Sequence, residues 1–115
     1  MDEIDRRSFI ETTIFTRQWQ NMGLNDDDLL KLQLELLENP KKGDIIKGTG
    51  GARKLRYAIQ GKGKSGGARL IYIDIVYTAQ IHFLLCYPKS IKTDLTHDEE
   101  KTIRAIIGKL TKRGD

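Results

Sequence analysis

A chain of 115 residues with 38% hydrophobic and 31% charged side chains has the balance of one globular domain, so we predict a single domain over residues 1–115. Its one cysteine excludes an intrachain disulfide and a cysteine-based zinc site. No apolar run approaches the length of a signal peptide or a membrane span, which predicts a cytoplasmic protein. The charge is uneven, with a net −5 over residues 1–40 and a net +8 over residues 41–95. Such a basic region is either an ordinary solvated surface or a site that attracts polyanions.

The first forty residues predict one strand and two helices. Residues 8–14 predict the strand, and residues 15–22 predict a short helix that ends before Gly23. Asn25 can cap the free backbone N–H groups of a second helix, and the three aspartates after it suit the positive end of the helix dipole. The leucines that follow give this helix a broad apolar face. Pro40 ends it, because proline disfavours helical geometry in the residue before it.

Three strands are predicted next. Residues 53–60 alternate, so that Leu55 and Tyr57 point one way while Lys54 and Arg56 point the other. Residues 68–77 and 80–87 are apolar on both faces, which is typical of central strands, and a tight turn joins them. Consecutive strands with short connections predict an antiparallel sheet.

The end of the chain predicts a helix. Thr96 and Glu99 fit a capping box, and the apolar stripe of this helix consists of Ile103, Ile106, Ile107 and Leu110. The order of elements predicts an α+β fold, in which a small antiparallel sheet packs against the N-terminal helices and is joined by a C-terminal helix.

Two sequence patterns that are typical of cofactor or metal sites are incomplete in this chain. The glycine-rich stretch 61–67 contains Gly-Lys-Ser, but a phosphate-binding loop also needs a glycine at position 58, which is alanine. We therefore interpret it as a hairpin loop whose lysines, Lys62 and Lys64, touch RNA. His82 and His97 lie far apart in sequence, and Cys86 lies in an apolar run that indicates a core residue. We predict neither a metal nor a cofactor.

A group of cations on adjacent strands is the strongest functional signal. Lys54 and Arg56 share one face of their strand, Arg69 begins the next strand, and Tyr87 ends the last one. If neighbouring strands pair in order, these side chains converge on one surface. Each cation alone could be an ordinary exposed residue, but a cationic group beside a tyrosine that can stack on a base makes a plausible RNA site.

The same residues lie in recognisable motifs. Residues 50–56 are Gly-Gly-Ala-Arg-Lys-Leu-Arg, residues 61–72 are Gly-Lys-Gly-Lys-Ser-Gly-Gly-Ala-Arg-Leu-Ile-Tyr, and residues 87–96 are Tyr-Pro-Lys-Ser-Ile-Lys-Thr-Asp-Leu-Thr. In order and spacing they resemble the HigB branch of the RelE/ParE toxin superfamily, over nearly the whole chain from about Phe9. The resemblance implies a RelE-like fold and a metal-independent mRNA interferase, in which the RNA's own 2′-hydroxyl attacks the adjacent phosphate.

Roles for individual residues follow from this resemblance. It implies that Lys54 is a candidate general base, that Arg56 holds the phosphate, and that Arg69 stabilises the charge that builds on phosphorus. Tyr87 would position the substrate. Lys89 and Lys92 lie where members place a further cation, and which of the two protonates the leaving oxygen stays open. Additional RNA contacts are expected from Arg53, Lys62 and Lys64.

Partners are implied as well. The resemblance implies mRNA on the ribosome, in the A site of the small subunit, and a cognate antitoxin that binds DNA. Operator DNA would be reached only through the toxin–antitoxin complex, and no membrane partner is expected. Two alternatives stay open, a ParE-like inhibitor of DNA gyrase and a non-catalytic nucleic-acid-binding module. The basic cluster beside Tyr87 favours the endoribonuclease, because gyrase inhibitors of this fold need no such cluster.

Overall fold

A computed structural model describes residues 7–59, 67–92 and 94–112. The elements follow the order strand, two helices, four strands and a final helix. The strands are β1 (Ser8–Glu11), β2 (Asp44–Ile45), β3 (Arg53–Tyr57), β4 (Ala68–Ile75) and β5 (Gln80–Pro88). The helices are α1 (Thr13–Asn21), α2 (Asp26–Glu38) and α3 (His97–Leu110), and a 3₁₀ turn, Val76–Thr78, leads into the connection between β4 and β5.

The helices begin where short polar side chains bind free backbone N–H groups. The predicted cap at Asn25 is confirmed, and the Asp28 carboxylate accepts a hydrogen bond from the backbone N–H of Asn25. The capping box of Thr96 and Glu99 at the start of α3 is confirmed too. Thr12 caps α1 by accepting a hydrogen bond from the backbone N–H of Phe15, so the first strand ends at Glu11 and the helix begins earlier than predicted.

The five strands form one sheet in the spatial order β1-β5-β4-β3-β2, and the α+β class is confirmed. The antiparallel pairing predicted for the three consecutive strands is confirmed in β3, β4 and β5. The sheet as a whole is mixed, because β1, whose pairing was not predicted, runs parallel to β5 with Ser8 opposite Gln80. Parallel pairing is possible here because two helices and three strands separate β1 from β5 along the chain. The two-residue strand β2, absent from the prediction, pairs with β3 at the other edge.

Each face of the sheet carries its own apolar cluster. On one face, Phe15 and Trp19 of α1 and Leu32 and Leu36 of α2 pack in a cluster with buried side chains of the sheet such as Phe83. On the other face, Ile103 and Ile107 of α3 pack in a cluster that contains Ile71, Ile73, Ile75, Leu84 and Tyr87. The sheet is thus the middle layer of three. Each large side chain that is fully buried contributes about 1.5–3 kcal/mol to this packing.

A β-bulge in β5 sets which way its last residues point. Ile71 pairs with Leu85 but Tyr72 pairs with Phe83, so Leu84 is an extra residue in β5. As a result Phe83 and Cys86, three positions apart, both belong to the cluster under α1 and α2. Tyr87 therefore belongs to the opposite cluster, under α3.

The segment before β3 is locked against the sheet. The hydroxyl of Tyr72 donates a hydrogen bond to the carbonyl oxygen of Pro40 at 2.8 Å and accepts one from the backbone N–H of Gly43 at 2.9 Å. A Cβ at position 43 would lie 2.9 Å from the carbonyl oxygen of Lys54, so only glycine allows this approach. No helix among residues 7–59, 67–92 and 94–112 has the length and apolar character needed to span a membrane.

Candidate functional site

Three residues form a row across the centre of the sheet. In the strand register, Arg56 on β3 lies opposite Arg69 on β4, and Arg69 lies opposite Tyr87 on β5. Residues directly opposite each other point to the same side of a sheet, with Cβ atoms about 4.5–5.5 Å apart. Lys54 precedes Arg56 by two positions on β3 and shares that side. The structure therefore brings Lys54, Arg56, Arg69 and Tyr87 together, on the face that also carries α3.

Arg69 is the most unusual member of this row. It is only 7% exposed, and its Nε is a buried donor without a hydrogen-bond partner in the part of the chain that the structure describes. Burying a charged or polar group without a partner costs free energy, and the few such groups in native proteins call for an explanation, such as a catalytic role or a missing ion.

Arg69 borders a polar cleft of about 570 Å³. One wall carries Lys54, Arg56 and Asp94. The other carries Glu35 of α2 in an ion pair with Lys42, whereas Asp44 lies opposite Lys54 in the strand register and so shares the side of Lys54. The segment locked by Tyr72 and Gly43 thus supplies part of the second wall. A cleft of this kind can hold a phosphate or a sugar between cations.

Tyr87 lies at the end of the row with its side chain largely covered. It is 4% exposed. Burial raises the pKa of Tyr87 above 10.0, the nearby Arg69 guanidinium lowers it in part, and the carboxylates of Glu99 and Asp94 raise it. Lys92 places its Nζ 4.9 Å from the centre of the Tyr87 ring and forms an ion pair with Glu99. The contact between Lys92 and the ring is a cation–π interaction.

Asp94 belongs to the cleft although the sequence reasoning did not select it. Its Oδ1 accepts a hydrogen bond from the Nζ of Lys54 at 2.7 Å, and its side chain is 76% exposed. Asp94 lies in the last quoted motif, seven positions after Tyr87, which is the only signal that could have pointed to it. Its contact with Lys54 depends on the path of the loop between β5 and α3, which no local pattern indicates.

The other predicted residues have different places. Arg53 lies on the opposite face from Lys54, and its guanidinium donates hydrogen bonds to the carbonyl oxygens of Gly43 at 2.7 Å and Lys41 at 3.2 Å. Lys89 is half-buried just after β5, where its backbone N–H donates to the carbonyl oxygen of Gly67. Lys62 and Lys64 lie outside the described residues.

The histidines and the cysteine are not part of the cleft. His82 is buried in β5, its Nε2 is 3.2 Å from Oε1 of Gln80, and burial lowers the pKa of its imidazole. The His97 side chain is 99% exposed at the start of α3. Cys86 is buried, as predicted, and burial raises the pKa of its thiol to about 12. The described ranges contain no group of three His, Cys, Asp or Glu residues that could hold a metal ion.

Comparison with known proteins places this geometry in a family. A family model described as the RelE toxin of the RelE/RelB toxin–antitoxin system matches residues 7–115. A free-state double mutant of the E. coli toxin RelE is similar in fold, with a TM-score of 0.57, 15% identity, and coverage of 88% of this chain and 96% of that chain. The E. coli RelBE toxin–antitoxin complex contains a chain with a TM-score of 0.53 and 17% identity, covering 71% of this chain and 95% of that chain. Identities this low show the fold alone. Because the family model spans almost the whole sequence, the protein belongs to the RelE toxin family.

Proposed function

We propose that this protein is the toxin of a type II toxin–antitoxin system and acts as an endoribonuclease that cleaves messenger RNA in the ribosomal A site, which stops translation. Membership of the RelE toxin family supports the first part. The observation that carries the second part is the buried guanidinium of Arg69, which lacks a partner for its Nε and lies between Arg56 and Tyr87 at a cationic cleft. A phosphate oxygen of RNA would satisfy that donor.

The proposed reaction is an attack by the RNA on itself. The 2′-oxygen of one nucleotide bonds to the adjacent phosphorus, and the bond to the leaving 5′-oxygen breaks, which gives a cyclic phosphate. Negative charge builds on the phosphoryl oxygens in the transition state, where preorganised donors stabilise it most. Arg69 and Arg56 supply this stabilisation, and Lys54 lies beside the nucleophile. These fixed cations provide the charge that a catalytic metal ion would otherwise provide.

Three further contributions complete the proposed site. Tyr87 positions the substrate by stacking or by hydrogen bonding, with its ring held by Lys92. Lys92 or Lys89, both just beyond β5, donates the proton that the leaving 5′-oxygen requires. Lys62 and Lys64 are proposed to bind the RNA backbone, and their charge would act as a salt-dependent contribution to affinity.

The proposed partners are mRNA on the ribosome and a cognate antitoxin. The fold is shared with a chain of a RelBE toxin–antitoxin complex, which supports an antitoxin that binds this protein. We propose that the antitoxin binds DNA and that this toxin reaches operator DNA only as part of the complex.

The activity can be tested by primer extension on ribosomes programmed with a defined mRNA. We expect a cut at the A-site codon when the protein is added, and loss of that cut when the nucleotide 5′ to the break carries a 2′-deoxyribose. Arg56→Ala should cut at least tenfold more slowly, whereas Arg104→Ala, which removes an exposed arginine of α3, should match the wild type. Uncut mRNA on the ribosome, or cutting that does not require the 2′-hydroxyl, would refute the proposal.

A further inference from the structure

The proposed cleavage requires a group that takes the proton from the 2′-hydroxyl, and most polar groups in the cleft cannot do so. Guanidinium groups such as those of Arg56 and Arg69 are donors only. The Nζ of Lys54 donates a hydrogen bond to the carboxylate of Asp94 at 2.7 Å. An ammonium group has three donors and no acceptor, so Lys54 in this ion pair has no free electron pair for the proton.

Carboxylates are the remaining acceptors at the cleft. An aspartic acid or glutamic acid ordinarily has a pKa of about 4, so its carboxylate is unprotonated at neutral pH. Of the residues that the structure describes, three such groups border the cleft, Glu35, Asp44 and Asp94. Glu35 is in an ion pair with Lys42 on the wall formed by α2 and the segment after it. Asp44 lies opposite Lys54 on the edge strand β2, at the end of the sheet away from Arg69 and Tyr87. Asp94 contacts Lys54 beside the row of Arg56, Arg69 and Tyr87, and its large exposed fraction leaves it accessible to RNA.

We propose that the Asp94 carboxylate is the general base of the cleavage reaction, and that Lys54 holds Asp94 in place and stabilises the oxygen from which the proton leaves. This inference rests on the proposed function. It assigns the proton acceptor to a residue three positions before α3 rather than to a strand lysine.

The protons and bonds balance in this scheme. The 2′-hydroxyl gives its proton to Asp94 as its oxygen bonds to phosphorus. The bond from phosphorus to the 5′-oxygen breaks, and that oxygen receives a proton from Lys92 or Lys89. The products are a 2′,3′-cyclic phosphate and a 5′-hydroxyl. The Asp94 carboxylic acid then returns its proton to water, and the lysine takes up a proton from water in place of the one it gave.

The local structure around Asp94 suits a positioned base. Before it, the backbone N–H of Ile91 donates to the carbonyl oxygen of Pro88, and Lys92 pairs with Glu99. After it, Thr96 and Glu99 form the capping box that starts α3. The described residues on both sides of Asp94 are therefore held by these hydrogen bonds, and Lys54 holds the carboxylate itself. A base held within hydrogen-bond reach of its proton contributes typically about 10²–10⁴-fold to a rate.

The first test is single-turnover cleavage on mRNA-programmed ribosomes at neutral pH. Asp94→Asn keeps the size of the side chain but removes the acceptor, and we expect a loss of about 100-fold or more. Asp94→Glu should keep part of the activity. Asp98→Asn is the matched control, because Asp98 lies four positions later, in the first turn of α3, and does not border the cleft. Thermal unfolding of all three variants separates loss of activity from loss of fold.

Two further measurements separate a base from a residue that only orients Lys54. Formate and acetate should restore cleavage to Asp94→Gly, and acetate, the stronger base, should restore more. In addition, an mRNA whose scissile 5′-oxygen is replaced by sulfur has a leaving group that needs no proton. The Asp94→Asn defect should persist on this substrate, because the nucleophile still has to lose its proton.

The opposite results are equally clear. If Asp94→Asn cleaves within threefold of wild type, or faster, the carboxylate only neutralises neighbouring positive charge and its assignment as the general base is wrong. If its defect disappears with the sulfur leaving group, Asp94 acts on the leaving group instead, and the assignment is again wrong. Wild-type protein that leaves mRNA uncut would refute the proposed function together with this assignment. Wild-type cleavage with an undiminished Asp94→Asn variant would refute the assignment alone.

Discussion

Replacing Arg69 with methionine should make the protein more stable and abolish its activity. Arg69 is almost fully covered, and its Nε lacks a hydrogen-bond partner among the described residues. It also lies directly opposite Arg56 in the strand register, so two positive charges face each other on one side of the sheet. Methionine has a similar unbranched length, fills the same space and carries neither the charge nor the unpaired donor.

The expected gain in stability can be worked out from these contacts. A buried donor without a partner costs about 1–3 kcal/mol, and like charges directly opposite on neighbouring strands cost about 0.2–1 kcal/mol. Methionine packs less well than a fitted side chain, with a cost of up to about 1 kcal/mol. We therefore expect Arg69→Met to raise the free energy of unfolding by about 1–3 kcal/mol. For a domain of this size, each kcal/mol raises the Tm by about 3–6 °C.

Urea unfolding and thermal unfolding of Arg69→Met, compared with wild type and Arg104→Met, test the predicted gain in stability. Arg104 is exposed on α3, so its replacement should change the free energy of unfolding by less than about 0.5 kcal/mol. Cleavage of mRNA on the ribosome tests the predicted loss of activity, and removal of the Arg69 guanidinium should lower the cleavage rate by about 10²–10³-fold. A variant that is less stable than wild type, or that cleaves at the wild-type rate, would show that Arg69 is a structural residue.

Three further outcomes are expected from the geometry. Burial raises the pKa of the Cys86 thiol to about 12, above the pKa of this thiol in the unfolded chain, so the stability that the neutral thiol contributes is complete below about pH 9 and is lost as pH rises toward 12. A thiol reagent that labels the folded protein quickly at pH 8 would contradict this. Burial raises the pKa of Glu99, but hydrogen bonds from Lys92 and Thr96 outweigh this effect and bring the pKa below 4.5. The free energy of unfolding should therefore fall as pH drops below about 4.5, and Glu99→Gln should weaken this fall in acid unfolding curves. Gly43→Ala should lower the free energy of unfolding by about 1–3 kcal/mol, because the added Cβ would collide with the backbone of Lys54. Gly108→Ala, with open space around it in α3, should raise the free energy of unfolding by about 0.5–1 kcal/mol, and equal effects of the two variants in urea unfolding would refute this contrast.

The parts of the fold with strong local patterns were predicted well. The alternation along residues 53–60 placed Lys54 and Arg56 on the opposite side from Leu55, and the register of β3 against β4 agrees. The helix caps at Asn25 and Thr96 were equally clear, because a capping side chain acts on backbone groups two or three residues away. Assignment to the HigB branch stays a prediction, because the family match does not distinguish branches.

Features that depend on distant contacts could not be read in this way. The direction of β1 is set by its pairing with β5, about seventy residues later, and nothing in residues 8–11 encodes it. The strand β2 is too short to show a period. Arg53 and Lys54 are adjacent, but only the segment around Gly43 explains why Arg53 binds backbone carbonyl oxygens on the far face. The contact of Asp94 with Lys54 likewise required the path of a loop across the sheet.

The single extra residue in β5 separates two functions that share one strand. Before Leu84 the odd-numbered residues of β5 face the core under α1 and α2. After Leu84 the odd-numbered residues face the opposite side, so that Tyr87 lies beside Arg69. If β5 paired regularly through Leu84, without the bulge, the same residues would turn Tyr87 toward α1 and α2 and turn Cys86 toward the cleft. A lineage could therefore lose the codon for Leu84 and keep Tyr87 opposite Arg69, whereas one codon gained between Leu85 and Tyr87 would turn Tyr87 away from Arg69 and disarm the protein while its sheet and helices persist.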